Sequence, residues 1–148
     1  MKKNLFILIL AGLAHNSFAQ SAPNSCKETQ MSISAKTMNL AGDVIFKSSQ
    51  GPTAEMTASL VTESSAPQAF QKMTELAQEK NQTMVSPIFS IGPAGALVVV
   101  QDPRTCTMTV FGFDGIALGI HKVIEIKEDS LTYLFPKNER ITVARKQF

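Results

Sequence analysis

The chain has 148 residues, 44% of them hydrophobic and 18% charged, with 14 Lys and Arg against 12 Asp and Glu. That is one domain's worth of sequence with enough apolar residues for a core. A net charge of +2 falls short of the basic surface that nucleic-acid binding requires, so nucleic acid is not an expected partner.

The first 19 residues have the order of a cleavable signal peptide. Lys2 and Lys3 precede an uncharged apolar run, Leu5 to Ala14, and a polar stretch ends in Ser17-Phe18-Ala19. Ser17 and Ala19 supply the small residues that signal peptidase accepts, so the expected cut lies between Ala19 and Gln20, with a cut after Ala14 as the alternative. The apolar run is well short of the ~20 residues that cross a bilayer. No later stretch is long and uncharged enough to do so, and stable membrane insertion is not expected. The expectation is a bacterial protein exported to the periplasm or secreted. Removing residues 1–19 leaves 129 residues, in which 12 basic residues face 12 acidic ones. The expected organisation is a signal peptide (1–19), a polar N-terminal arm (20–30) and a single globular domain (31–148).

Two cysteines, Cys26 and Cys106, remain. In an oxidising compartment an even pair far apart in sequence predicts one structural disulfide, because redox pairs sit within a turn of each other.

Beyond the arm, Met31, Ile33 and Ala35 alternate with polar residues, the mark of a half-buried strand. Val44–Lys47 and Thr53–Thr62, joined through Ser48–Pro52, predict a hairpin, with Ala54, Met56, Ala58 and Leu60 sharing the buried face. Ala66–Lys80 predicts an amphipathic helix. Ser64 or Ser65 is its expected N-cap, Pro67 lies in its first turn, and Ala66, Ala69, Phe70, Met73, Leu76 and Ala77 form its apolar stripe. Pro87 interrupts Met84–Ile91 and predicts an edge strand or a bend. The unbroken apolar run Ala96–Val100 is the kind found where both faces of a sheet are covered. Thr105–Phe113 alternates, and Asp114-Gly115 is a strong hairpin signal. Strands over Ile116–Ile126, Leu131–Phe135 and Ile141–Ala144 complete the pattern. Arg140, Arg145 and Lys146 read as the solvated face of an edge strand.

Connections of two to five residues force antiparallel pairing. The fold class expected is α+β: an antiparallel meander, curled or partly closed, with one amphipathic helix packed on it.

Export removes His15 and leaves His121 as the one base for a Ser-His-Asp arrangement, with Asp114 or Asp129 to orient it. No Gly-x-Ser-x-Gly elbow accompanies it. Glu125, Glu128, Asp129 and Glu139 are the carboxylates available for glycoside cleavage, although turns are where acidic residues simply meet solvent. The glycines form no nucleotide-binding pattern. Met31, Met38, Met56, Met73, Met84 and Met108 are spread singly, as core fillers are, so neither a metal nor another cofactor is expected. No catalytic residue is assigned. A lipid-facing barrel is disfavoured by the lack of Trp and the single Tyr133, since such barrels carry aromatic girdles.

The sequence therefore points first to an exported binding module acting through its protein surface: an accessory factor, inhibitor or assembly subunit with a protein partner. The Pro87–Ala94 segment is its candidate patch. The alternative is a carrier of a small apolar ligand, with Val98, Val99, Val100, Phe111 and Phe113 as lining residues, although they fit a core equally well. A hydrolase ranks third.

Overall fold

Alternation of apolar and polar residues governs most of the chain and folds it into sheet, but not where the first alternation begins. In the computed structural model, which describes residues 26–92 and 95–147, Thr29 opens a helix instead of a strand. Helix α1 (Gln30–Thr37) overturns the strand expected from Met31, Ile33 and Ala35. End chemistry decides between the two periods. The Thr29 hydroxyl accepts the Ser32 amide at 3.1 Å, and the Ser32 hydroxyl accepts the Thr29 amide at 2.8 Å. This reciprocal cap satisfies two donors that a helix start otherwise leaves open. Ser32 and Ala35, three residues apart, face inward, while Ile33 is exposed. The expected signal peptide, the expected Ala19–Gln20 cut and the part of the expected arm before Cys26 lie outside the described residues.

Among the described residues nine strands follow: β1 (Gly42–Ser48), β2 (Ala54–Val61), β3 (Thr83–Met84), β4 (Ile88–Ile91), β5 (Ala96–Gln101), β6 (Met108–Phe113), β7 (Leu118–Lys127), β8 (Ser130–Phe135) and β9 (Glu139–Arg145). Every pairing is antiparallel. The expected hairpins form, and the meander does not stop at a curl. β9 returns to β1, with Val44 opposite Arg145 and Ser48 opposite Ile141, which closes an eight-stranded barrel to which β3 is a two-residue addition. The strand carrying Arg140 and Arg145 is therefore not an edge. It lies between β8 and β1; Arg140 and Arg145 are exposed at its two ends, and Lys146, just beyond it, pairs with Glu55 at 3.2 Å.

Pro87 makes a bend, not an edge. β3 and β4 are two halves of one broken strand beside β5. Pro87 lacks an N–H and cannot continue the ladder. At this break the Ser86 hydroxyl accepts the Val99 amide at 2.9 Å, while the Val85 amide donates to the Val99 carbonyl at 2.9 Å.

Helix α2 (Pro67–Glu79), between β2 and β3, is the expected amphipathic helix, although neither serine caps it. Its N-cap is Ala66, with no side-chain cap, and the Ser65 hydroxyl turns back to the Leu60 carbonyl. Asn81 has the positive φ of 55° that suits the residue after a helix end. Met73, Leu76 and Ala77 of α2 pack with Val98, Val100 and Phe111 on the outside of the barrel. Val99 and Leu97 point the other way, into the barrel interior. β5 is thus buried on both faces, as its apolar run implies. On β2 the expected face breaks at its end: Leu60 is exposed and Val61 is buried beneath α2.

A bulge between Val123 and Glu125 resets the alternation of β7, so Val123 and Ile126, three residues apart, both face inward. The interior is apolar, with Val44, Phe89, Leu131, Ile141 and Val143 buried in one cluster. Away from α2, the outer face is mixed, with Lys47, Glu55, Thr57, Lys122, Thr132 and Thr142 beside Ile45 and Leu134. This polarity is the reverse of a lipid-facing barrel. Among the described residues no helix is long and apolar enough to cross a membrane.

α1 lies across one end of the barrel. Cys26 is disulfide-bonded to Cys106, in the turn between β5 and β6, with a Cα–Cα distance of 5.6 Å. After the helix, the Asn39 amide donates to the Glu128 carbonyl at 2.7 Å, in the β7–β8 turn. Between these anchors Ala35, Met38 and Leu40 fill the interior.

The open end of the barrel as a candidate binding site

At the opposite end lies a cavity of about 300 Å³. Its side chains come from strands far apart in sequence: Phe46 on β1, Ile91 on β4, Leu97 on β5, Val110 on β6, His121 on β7, and Tyr133 and Phe135 on β8. Two glycines make the room. Gly112 and Gly119 face each other across β6 and β7, at positions where neighbouring inward residues carry bulky groups. A Cβ on Gly112 would meet nothing within 4 Å, so this residue borders open space. A Cβ on Gly119 would lie 2.7 Å from His121 Nε2, so this residue lets the imidazole fold back over the strand.

The rim depends on a third glycine. Gly95 has a φ of +92°, and a Cβ there would sit 2.2 Å from the Phe113 carbonyl oxygen. Only glycine allows the turn before β5 to approach the end of β6 this closely.

The polar groups of the cavity are few. The His121 ring lies 4.4 Å from Phe135 and 5.7 Å from Tyr133, centroid to centroid. Burial pulls the His121 pKa below its ordinary value of 6.5, so the imidazole is neutral at pH 7. Burial also pushes the Tyr133 phenol well above the usual tyrosine range, so it keeps its proton. Tyr133 is 5% exposed, and its hydroxyl makes no hydrogen bond with a described residue. Among the described residues no buried side-chain polar atom is both sealed and unpartnered, so this hydroxyl meets open space. Asp114, at the rim, accepts the Ala117 and Ile116 amides at 2.9 Å each, and those bonds hold its carboxyl below the usual carboxylate range.

The residues singled out from sequence separate. Asp114 shares the cavity with His121 but spends its oxygen on its own turn, and Asp129 accepts Gln147 Nε2 at 2.8 Å at the α1 end. Neither carboxylate bonds the imidazole. Glu125 pairs with Lys127 at 3.1 Å near the α1 end, whereas Glu139 accepts the Ser48 hydroxyl at the other. The four acidic residues do not converge. Met38, Met73 and Met108 are buried core residues, and Met31, Met56 and Met84 pack against the same clusters. Among the described residues no three His, Cys, Asp or Glu side chains gather as metal ligands.

Neither sequence-based set of binding residues forms an exposed patch or a cavity wall as a group. In the candidate patch Ile88, Phe89 and Ile91 are buried in the barrel wall, and residues 93–94 lie outside the described residues. Of the expected lining residues, Val98, Val100 and Phe111 pack beneath α2 with Phe113 against them, and Val99 is in the closed part of the interior. Tyr133, Phe46 and Phe135, which do line the cavity, carried no signal of their own. Gly112 and Gly119 did, because glycine inside a strand marks a place where something approaches closely.

The chain matches no protein family, no curated protein and no solved structure. Any functional assignment rests on the site itself.

Proposed function

We propose that this domain binds a small, largely apolar ligand in the open end of its barrel, and that it does so outside the cytoplasm. The observation that carries the reading is the Gly112–Gly119 pair, which keeps about 300 Å³ free among aromatic and aliphatic side chains. Eight-stranded barrels of this kind are just wide enough either to fill with side chains or to hold one small ligand. The volume sits at the low end for ligand sites, and an apolar lining with few polar groups is their usual composition. The Cys26–Cys106 disulfide supports an oxidising compartment. A surface-acting module has less to rest on: the exposed large apolar residues Ile33, Leu60, Ile116 and Ile120 are dispersed over α1, β2, the β6–β7 turn and β7.

Indane, an apolar bicycle of suitable size, is the first probe. Titration followed by NMR is expected to shift the ring signals of Tyr133, the one tyrosine of the chain, in a saturable way. Gly112→Leu places an isobutyl group in the open space and is expected to abolish that binding with the fold retained. Indane binding that is unchanged in Gly112→Leu would remove the cavity as the site.

A further inference from the structure

The cavity is apolar on nearly every side, yet Tyr133 brings to it a hydroxyl with no partner among the described residues. Tyr133 is held by β8 with its ring packed between neighbours: His121 at 5.7 Å and Phe135 at 5.7 Å, centroid to centroid. It is 5% exposed, and its hydroxyl has no partner among the described residues. A phenylalanine would fill the same space without leaving a hydroxyl to satisfy. That hydroxyl opens on the cavity, where water accepts its proton until a ligand with an acceptor takes the water's place.

From the unpartnered Tyr133 hydroxyl in this aromatic cavity we infer that the ligand is a neutral, ring-sized molecule with one hydrogen-bond acceptor, above all a ketone-type carbonyl. The inference rests on the cavity reading proposed above. Size follows from the volume: 300 Å³ corresponds to roughly ten water molecules of liquid, hence about ten non-hydrogen atoms. The apolar body follows from Phe46, Ile91, Leu97 and Val110, which offer no polar side-chain atom. The acceptor follows from the chemistry of the two polar rings. A protonated phenol donates, and a neutral imidazole carries no charge with which to hold an anion. An anion is disfavoured as well by Asp114, which lines the same cavity and repels a second negative charge. The bond to be made is one uncharged hydrogen bond, in which the ligand oxygen replaces water at the Tyr133 hydroxyl.

The test compares indane with 1-indanone, which adds one carbonyl to the same bicycle, and with indane-1-carboxylate, by isothermal titration calorimetry on the disulfide-bonded protein. The ketone is expected to bind about tenfold more tightly than the hydrocarbon, the value of one such hydrogen bond. The carboxylate is expected to bind more weakly than the ketone. In Tyr133→Phe the ratio of ketone to hydrocarbon affinity, read within the one variant, is expected to fall towards one. Each alternative has a separate meaning. If indane and 1-indanone bind the wild type equally, or if the tenfold ratio survives in Tyr133→Phe, the inference is overturned while the cavity reading stands. If the carboxylate binds more tightly than the ketone, the neutral ligand class is wrong. If none of the three binds, the cavity reading fails and takes the inference with it.

Discussion

The two ends of this barrel are made from the same strands and differ in what their inward positions carry. At the α1 end, Ala35 from the helix and Met38 and Leu40 from the segment after it meet Val123, Ile126 and Leu131, so the interior is filled. At the other end the equivalent inward positions of β6 and β7 are Gly112 and Gly119, and the rings of Phe46, Phe135 and His121 stand around a space. Strand geometry sets the diameter of such a barrel, and side-chain volume decides whether a given level becomes core or cavity. One end is built for stability and the other gives some of it up for access.

That contrast breaks most visibly at the filled end. Leu40 is fully buried there, and Leu40→Ala is expected to cost about 2–5 kcal/mol, from lost burial and from the hole left behind. Urea denaturation measures it, and a loss under 1 kcal/mol would mean that this end is not the packed one. Next comes the Cys26–Cys106 bond, which holds α1 across the barrel and spans 80 residues. Replacing both cysteines with serine is expected to cost about 2–4 kcal/mol. Amide exchange should quicken in α1 before it does in β4 and β5, and uniform acceleration would count against α1 as a separately held cover.

The smallest effect belongs to the open end and is read with pH. His121 has its pKa lowered by burial from the ordinary 6.5, so the folded protein binds fewer protons than the unfolded chain as that pH is crossed. Its contribution to stability is complete above about pH 6.5 and is lost progressively as pH falls below it. Unfolding free energy is expected to decline modestly from pH 7.5 to 5.5, and His121→Gln should flatten that slope. Asp102 and Asp114 titrate in a lower window, because backbone amides, first those of Arg104 and of Ala117 respectively, hold both carboxyls below their ordinary value of 3.8. A slope unchanged in His121→Gln would place the titrating group elsewhere.

Local signals were legible wherever one short stretch determined its own structure. The Asp114-Gly115 turn, the stripe of α2 and the doubly covered run of β5 all announce themselves in this way. α1 did not, because Met31, Ile33 and Ala35 fit a strand as well as a turn of helix, and only the Thr29–Ser32 cap separates the two. The disulfide was legible from compartment and count, although its role in fastening a helix across the barrel was not. Closure was hidden for a different reason: nothing within residues 42–48 says that 139–145 will pair with them. The cavity shares that difficulty, since its walls come from five or more strands that meet only after the barrel has closed. A glycine on each of two neighbouring strands was its single trace in the sequence.

The pairing of β9 with β1 also sets the order of events during folding. β1 leaves the ribosome early, yet one of its two ladders waits for residues Ile141–Arg145. Until they arrive, β1 and β8 both present open edges, and open edges invite pairing with other chains. Contacts this distant in sequence are slow to form. A chain cut short before β9 would thus be the aggregation-prone species, and the last strand to be made is the one that seals the first.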